Sequence, residues 1–321
     1  MEHIVLIDGH HMLYRAYWAI PRTLKTSKGE QVNTVFGLGS MLLSILQQEQ
    51  PDALVFCFDE GDQTFRHQEH AGYKDGRAET PDDFYIQIPR AFELIDAFGI
   101  HRISDPRYEA DDFLAAYACA ADARGMRVTI VSGDRDLLQI VTDTIRVAVP
   151  HKGYQQAEYL DAAGVEKKLG VRPDQIPAFK GLAGDSSDNL PGVRGIGPKT
   201  AASLLQDWQT LDGIYAHLDV LSPVLAGKLV ADKEQAYFCQ RMALLDRNIQ
   251  LPIALEDLAC GNLPSQHVLD FLRSMEFSLL VKRFTELLRG SASACFDLLP
   301  ATDMEASIQK DASSPHQQSL F

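Results

Sequence analysis

The chain has 321 residues, 45% of them hydrophobic and 23% charged, a composition that suits a globular protein with a sizeable core and excludes a disordered or fibrous one. A formal charge of −14 argues at face value against a nucleic-acid partner, because phosphate binding is driven by Lys and Arg. MEHIVLID meets an aspartate after a few apolar residues, so no signal peptide is expected, and the longest apolar run, Phe113 to Ala121, is far short of the ~20 residues that span a bilayer.

Ile4–Ile7 reads as a buried strand that ends on Asp8, and Val35–Leu46 (FGLGSMLLSIL) has helical spacing. Leu54–Phe58 reads as a second strand, Phe84–Phe98 as a helix and Ile100–Ser104 as a short strand. Glu109–Arg124 follows as a helix, then Val128–Val131 and Ile145–Val149 as strands. This alternation predicts an α/β fold, a mostly parallel central sheet flanked by helices. Residues 62–83 (DQTFRHQEHAGYKDGRAETPDD) interrupt it with a polar, basic-aromatic stretch that reads as a functional lid or a disordered segment. Short helices separated by Gly- and Pro-containing turns dominate from about 158 to 289. The remainder, rich in Ser, Ala, Asp and Gln, reads as a flexible tail. The expected division is an α/β catalytic domain over 1–157, a helical subdomain over 158–289 and a tail over 290–321. Cys57, Cys119, Cys239, Cys260 and Cys295 are widely spaced and read as reduced thiols of a cytoplasmic protein.

Nine carboxylates stand at punctuation points: Asp8, Asp59, Glu109, Asp111, Asp112, Asp134, Asp136, Asp185 and Asp188. Most follow directly on apolar strands, and in an open α/β sheet the carboxyl ends of the strands share one crevice. Carboxylates gathered in such a crevice repel one another unless something neutralises them. A ligand set made of oxygen alone suits Mg²⁺ or Mn²⁺ rather than zinc, and two such ions close together serve phosphodiester hydrolysis. Each acid also has a plainer reading: Asp112 as a favourable charge at a helix N-terminus, Asp8, Asp185 or Asp188 as turn chemistry. The EADD run, three acids in four positions, is the hardest to explain without a cation.

A glycine-rich hairpin, LPGVRGIGPKTAASLL from Leu190 to Leu205, follows GDSSDN closely. Gly195, Gly197 and Pro198 make a tight turn, and Lys199 and Thr200 open an amphipathic helix. Such a turn offers backbone N–H groups and a lysine to a phosphate.

In this order, IDGHHMLYRAYWA, FCFDEGDQTFRHQ, YKDGR, YEADD, IVSGDRDLLQIV and GLAGDSSDNLPGVRGIGPKTAASLL resemble the 5′-nucleases of the flap-endonuclease type, and within them the 5′-3′ exonuclease domain of bacterial DNA polymerase I. The likeness runs from residue 3 to about 289 and implies a PIN-like 5′-nuclease fold with a helix-hairpin-helix subdomain. By resemblance Asp8, Asp59, Glu109, Asp111 and Asp112 form one metal cluster, and Asp134, Asp136, Asp185 and Asp188 a second, holding two Mg²⁺ or Mn²⁺ ions. The helix-hairpin-helix at about 185–207 would grip duplex DNA through Ser186, Gly195, Gly197, Lys199 and Thr200, with K⁺ at the hairpin. An arch at about 62–83 would pass the 5′ strand, with Arg66 and Tyr73 against DNA and Lys74 and Arg77 as catalytic cations at the scissile phosphate. The implied activity is structure-specific 5′-3′ exonuclease and flap-endonuclease cleavage of branched or nicked DNA, or of an RNA primer, in replication and repair. No polymerase segment follows, so a free-standing form is expected.

The chain ends QQSLF. Gln317, Leu320 and Phe321 are similar to the Gln-x-x-Leu-Phe peptide with which bacterial repair proteins dock on the DNA sliding clamp, and the polar tether would raise effective concentration without fixing orientation. Two other readings stand beside the nuclease: a non-catalytic module that binds branched DNA and recruits partners, and a PIN-type ribonuclease.

Overall fold

The structure, a computed structural model, describes residues 1–61, 64–70, 72–74, 80–260 and 263–290. Arg77 and the clamp-like peptide Gln317, Leu320 and Phe321 lie outside the described residues.

Six strands form one sheet in the order β3-β2-β1-β4-β5-β6: β1 His3–Asp8, β2 Ala53–Cys57, β3 His101–Ile103, β4 Arg127–Val131, β5 Ile145–His151 and β6 Gly153–Leu160. The first five run parallel, with Ile4 of β1 opposite Ala53 on one side and Val128 on the other. β1 is buried over its whole length and lacks polar alternation, as a parallel strand covered on both faces should. Its side chains nonetheless divide between two cores: Ile4 and Leu6 join the cluster under helix α6 (Ala110–Asp122), Val5 and Ile7 the cluster under α1 (Gly9–Ala19) and α2 (Asn33–Glu49). That period of two places helices on both faces and leaves the carboxyl ends of β1, β2 and β4 open at one edge.

Three elements differ from the sequence reading. α1 starts directly after β1, because Asp8 caps it by accepting the His11 backbone N–H at 3.0 Å. The helix expected over Phe84–Phe98 is two, α4 Asp82–Tyr85 and α5 Ile88–Ala97. Pro89 has no N–H to give and starts a new helix in the first turn of α5. β6, half polar and not among the strands read from the sequence, pairs antiparallel with β5 and closes that edge of the sheet. Within the interrupting stretch, Phe65–Glu69 forms a short helix, α3.

The helical half also departs from the expected division. Helices α7 (Ala162–Leu169) to α12 (Lys233–Ala243) follow β6, and α8 (Ile176–Ala183) packs on the 3-10 turn Asp136–Ile140 after β4. The last two helices, α13 (Ser265–Ser274) and α14 (Ser278–Gly290), instead return to the sheet body and cover α2 and α5. Phe277 meets Phe36 at 5.4 Å between ring centroids and Phe284 meets Phe98 at 5.6 Å. Phe277, just before α14, thus meets α2, and Phe284 within α14 meets the end of α5. No helix among the described residues is long and apolar enough to cross a membrane.

Phe284 is fully buried, so Phe284→Ala is expected to cost about 3–5 kcal/mol. Urea unfolding should show a lowered midpoint with the sheet body and α14 melting together, whereas an unchanged midpoint would mean that α14 is an ornament.

Candidate metal centre and nucleic-acid interface

β1 ends on Asp8, whose Oδ2 accepts from Ser132 Oγ at 2.7 Å while Oδ1 holds the start of α1. Asp59 follows β2 and accepts the Ala110 N–H at 2.8 Å, which draws the first turn of α6 toward it. Asp134 follows β4; its N–H donates to Ser132 Oγ at 3.0 Å, and its Oδ1 accepts the Asp136 N–H at 2.8 Å. Ser132 thus ties the acids of two strands together. The β4 loop passes so close to α1 that a Cβ on Gly133 would stand 2.3 Å from His11 Cε1, so any larger residue there would have to displace the His11 ring.

Burial pushes the Asp8 carboxyl up to about 7; Ser132 and His11 donate against that rise, and the charges of Asp59 and Asp134 add to it. Burial also holds Asp111 well above the usual carboxylate range, helped by Asp134, Asp8 and Asp59. Asp8, Asp59, Asp111 and Asp134 therefore act as one electrostatic unit. This differs from the expected partition, which set Asp134 with the second cluster.

The second group is Asp136, Asp185 and Asp188, each with an oxygen within 4.8 Å of the others. The loop carrying the last two is closed by the Asp185 N–H on Leu190 O (2.7 Å) and the Leu190 N–H on Asp185 O (2.8 Å). Gly184 at φ +76° lets the chain enter that closure, where a Cβ would meet Leu190 O at 2.7 Å. A residue that sequence reasoning missed stands among these acids: the buried Lys180 pairs with both Asp136 and Asp185. Burial alone would raise Asp185, but the Lys180 charge and bonds from Lys180 and Ser187 hold its carboxyl below the ordinary value. The available signal was a single lysine inside an otherwise apolar helix, IPAFKGLA. One ammonium against three carboxylates leaves an excess of negative charge, and every donor in both groups is an oxygen, so the residues fit hard divalent cations.

Glu109 and Asp112 face a different way. Arg66, expected against DNA, is only 1% exposed, and its guanidinium reaches Glu109 Oε2 at 3.2 Å and Asp112 Oδ2 at 2.8 Å. It has no surface for a phosphate. Tyr73, expected to stack on a base, is also buried, with its hydroxyl on Glu109 Oε2 at 3.3 Å. Both side chains carry the interrupting segment inward instead of presenting it to a strand. Lys74 stands at the rim: at φ +60° it turns its ammonium to Glu109 Oε1 at 3.1 Å, and its charge reaches Asp111. Asn189, beside Asp188, donates to Gly72 O at 2.8 Å, so the foot of this segment is fastened to the second acidic loop.

The hairpin joins α8 to α9 (Pro198–Trp208). Gly197 caps α9 and Pro198 occupies its first turn; Ser186, Gly195, Gly197 and Lys199 are exposed and Thr200 is half-buried. Gly195 takes φ +75°, and its carbonyl accepts from Lys228 Nζ at 3.0 Å. Elsewhere, Arg15, Lys152 and Arg283 line a groove of about 730 Å³ with no Asp or Glu among the described residues of its wall.

Residues 3–170 match the family model described as 5′-3′ exonuclease, N-terminal resolvase-like domain, and residues 171–266 the 5′-3′ exonuclease, C-terminal SAM fold. The chain belongs to the 5′-3′ exonuclease family. It is 39% identical over 282 residues to the thermostable DNA polymerase I of Thermus aquaticus, covering 88% of this chain and 33% of that protein. It is 36% identical over 284 residues to DNA polymerase I of Bacillus subtilis, covering 88% of this chain and 32% of that one. The chain thus spans about a third of the length of these relatives. Its fold is similar to that of the bacteriophage T5 5′-exonuclease solved with bound divalent metal ions (zinc), with a TM-score of 0.63, 17% identity, and coverage of 90% of this chain and 99% of that one.

The raised carboxyls fix a sign for pH. Asp8 keeps its proton up to about 7 in the fold, against 3.8 as its ordinary value. Between those values the folded state holds the extra proton, so stability is greatest below pH 4 for this group and falls as pH rises through 7. In EDTA the Tm contribution should therefore decline from pH 5 to pH 8, and Mg²⁺ should raise Tm more at pH 8 than at pH 5. A Mg²⁺ increment equal at both pH values would contradict this reading.

Proposed function

We propose that the chain is a cytoplasmic, Mg²⁺- or Mn²⁺-dependent 5′ nuclease that hydrolyses phosphodiester bonds in the 5′ strand of flapped, nicked or RNA-primed DNA, in replication and repair. The observation that carries this is the adjacency of two acidic groups: Asp8, Asp59, Asp111 and Asp134, and beside them Asp136, Asp185 and Asp188. Two divalent ions held there would neutralise the carboxylates, activate water and offset charge on the leaving oxygen. Lys74 at the rim is the described cation best placed to meet a phosphate, and Arg77 is proposed to act beside it. The T5 flap endonuclease, a fold neighbour, was solved in a pseudo-enzyme–product complex with DNA and metal ions.

The duplex would lie on the hairpin, held by the backbone of Gly195 and Gly197 and by Ser186, Lys199 and Thr200. Because Lys228 already occupies the Gly195 carbonyl, we assign no K⁺ to that atom. The cationic groove of Arg15, Lys152 and Arg283 answers the objection raised by the overall charge, since binding depends on where the bases cluster rather than on their total. A 5′ nuclease of this kind would also profit from a tether, and we propose Gln317, Leu320 and Phe321 as a sliding-clamp peptide.

A labelled 5′ flap should be cut in Mg²⁺ and released with a 5′-phosphate product, and Asp134→Ala should lower the rate by about 10³-fold. Absence of cleavage at any Mg²⁺ or Mn²⁺ concentration would favour the binding-module reading, and faster cutting of single-stranded RNA than of flapped DNA the ribonuclease reading. Deleting residues 317–321 should abolish retention on immobilised clamp and leave flap cleavage intact; undiminished retention would refute the tether.

A further inference from the structure

Arg66 makes more bonds inside the protein than any role at the surface would require. Its Nη1 donates to Asp112 Oδ2 at 2.8 Å and Glu109 Oε2 at 3.2 Å, and its Nη2 to Asp112 Oδ1 at 2.8 Å and Leu244 O at 2.9 Å. Nε donates to Met242 O at 3.0 Å, and the guanidinium carbon lies 4.5 Å from the Phe65 ring centroid. Every edge of the planar fork is used.

The other side of the pair is equally full. Asp112 is 0% exposed. Besides the two Arg66 bonds, its Oδ1 accepts the Asp246 N–H at 2.9 Å and its Oδ2 the Glu109 N–H at 3.2 Å. An ionised carboxylate offers about four lone-pair sites, and four donors fill them. A metal ion would have to break one of these buried bonds and would be brought beside a buried guanidinium, which costs far more than a rim contact.

The three segments that meet at this pair come from distant parts of the chain. Arg66 belongs to α3 at the foot of the interrupting segment, Asp112 to the first turn of α6, and residues 242–246 to the last turn of α12 and the extended exit that follows it. Gln139, in the turn that begins with Asp136, secures the same exit: its Nε2 donates to Ala243 O at 3.0 Å, and its Oε1 accepts the Leu245 N–H at 3.1 Å.

We propose that Arg66 is a positioning residue, a strut that sets the carboxylates of the α6 N-terminus against the metal centre and locks them to the exit of the helical half, and that Asp112 is its counter-ion rather than a metal ligand. Glu109 is oriented by the same guanidinium, and Asp111, between the two anchored acids, is the one left to face Asp8, Asp59 and Asp134. The inference rests on the metal-dependent reading above.

The two roles predict opposite signs. Were Asp112 a ligand, Arg66→Gln would remove a repelling cation and tighten metal binding. With Arg66 as a strut, Arg66→Gln and Asp112→Asn both loosen it, by about tenfold, as loss of an outer support does. The measurement is Mn²⁺ binding to the full chain by EPR without DNA, together with affinity for a fluorescent 5′ flap in Ca²⁺ and the rate of flap cleavage. Arg66→Lys should recover part of the Mn²⁺ affinity. The paired variant Arg66→Met with Asp112→Leu should fold and bind Mn²⁺ about as weakly as either single change, not as the sum of both. Flap affinity in Ca²⁺ should stay within about twofold of wild type while cleavage falls, a split expected of positioning rather than of DNA contact. Wild-type or tighter Mn²⁺ binding by Arg66→Gln overturns the proposal, as does a loss of flap affinity with Mn²⁺ binding intact. If the wild type bound Mn²⁺ but cut no flap, the nuclease reading would fail while the Mn²⁺ comparison still judged the strut.

Discussion

Mutual repulsion among carboxylates is the constraint around which this molecule is built. The sheet delivers Asp8, Asp59 and Asp134 to one edge, α6 adds Glu109, Asp111 and Asp112, and the loop after α8 adds Asp185 and Asp188. Each set meets the repulsion differently. Asp112 and Glu109 take a buried guanidinium, Asp136 and Asp185 a buried ammonium, and Asp8 and Asp111 have carboxyls that hold their protons to unusually high pH. The unit with no buried cation of its own among the described residues is the one at the strand ends, and that is where divalent charge would have the most to neutralise.

The same solutions position the rest. In the interrupting segment, Arg66 of α3 reaches Asp112, and Lys74 stands at the rim of the centre on Glu109. Because Asn189 holds Gly72, the foot of that segment also touches the loop that leads into the hairpin. The rim lysine, the second acidic loop and the hairpin are thus neighbours through a few short bonds. The overall charge of −14 is a weak argument because much of it is concentrated in these acidic groups, while Arg15, Lys152 and Arg283 line one groove.

Strand identity and order of alternation were legible because β1, β2 and β4 are continuous apolar runs bounded by acids. The carboxylates were legible for the same reason, since a charge at the end of a buried strand has few places to go. Partners were not legible. Nothing local distinguishes Asp111 from Asp112 in EADD; a shift of one residue around α6 turns one toward the strand ends and the other into Arg66. Arg66 and Tyr73 were set against DNA by the family resemblance, yet three-dimensional packing turns them inward. β6 and the destination of α13 and α14 depend on contacts far apart in sequence, and no periodicity within those segments reports them.

Lys180 has a consequence for the order of events in the life of the chain. An ammonium already lodged between Asp136 and Asp185 lets the second acidic group close without waiting for an ion. Closure of this loop is therefore less dependent on a bound ion than the gathering of the strand-end acids is. Arrival of a divalent ion then becomes a competition with a resident charge rather than the filling of a void, which sets a threshold that monovalent ions, with half the charge, are poorly equipped to cross. Lys180 thereby raises the charge that an incoming cation needs in order to enter between Asp136 and Asp185.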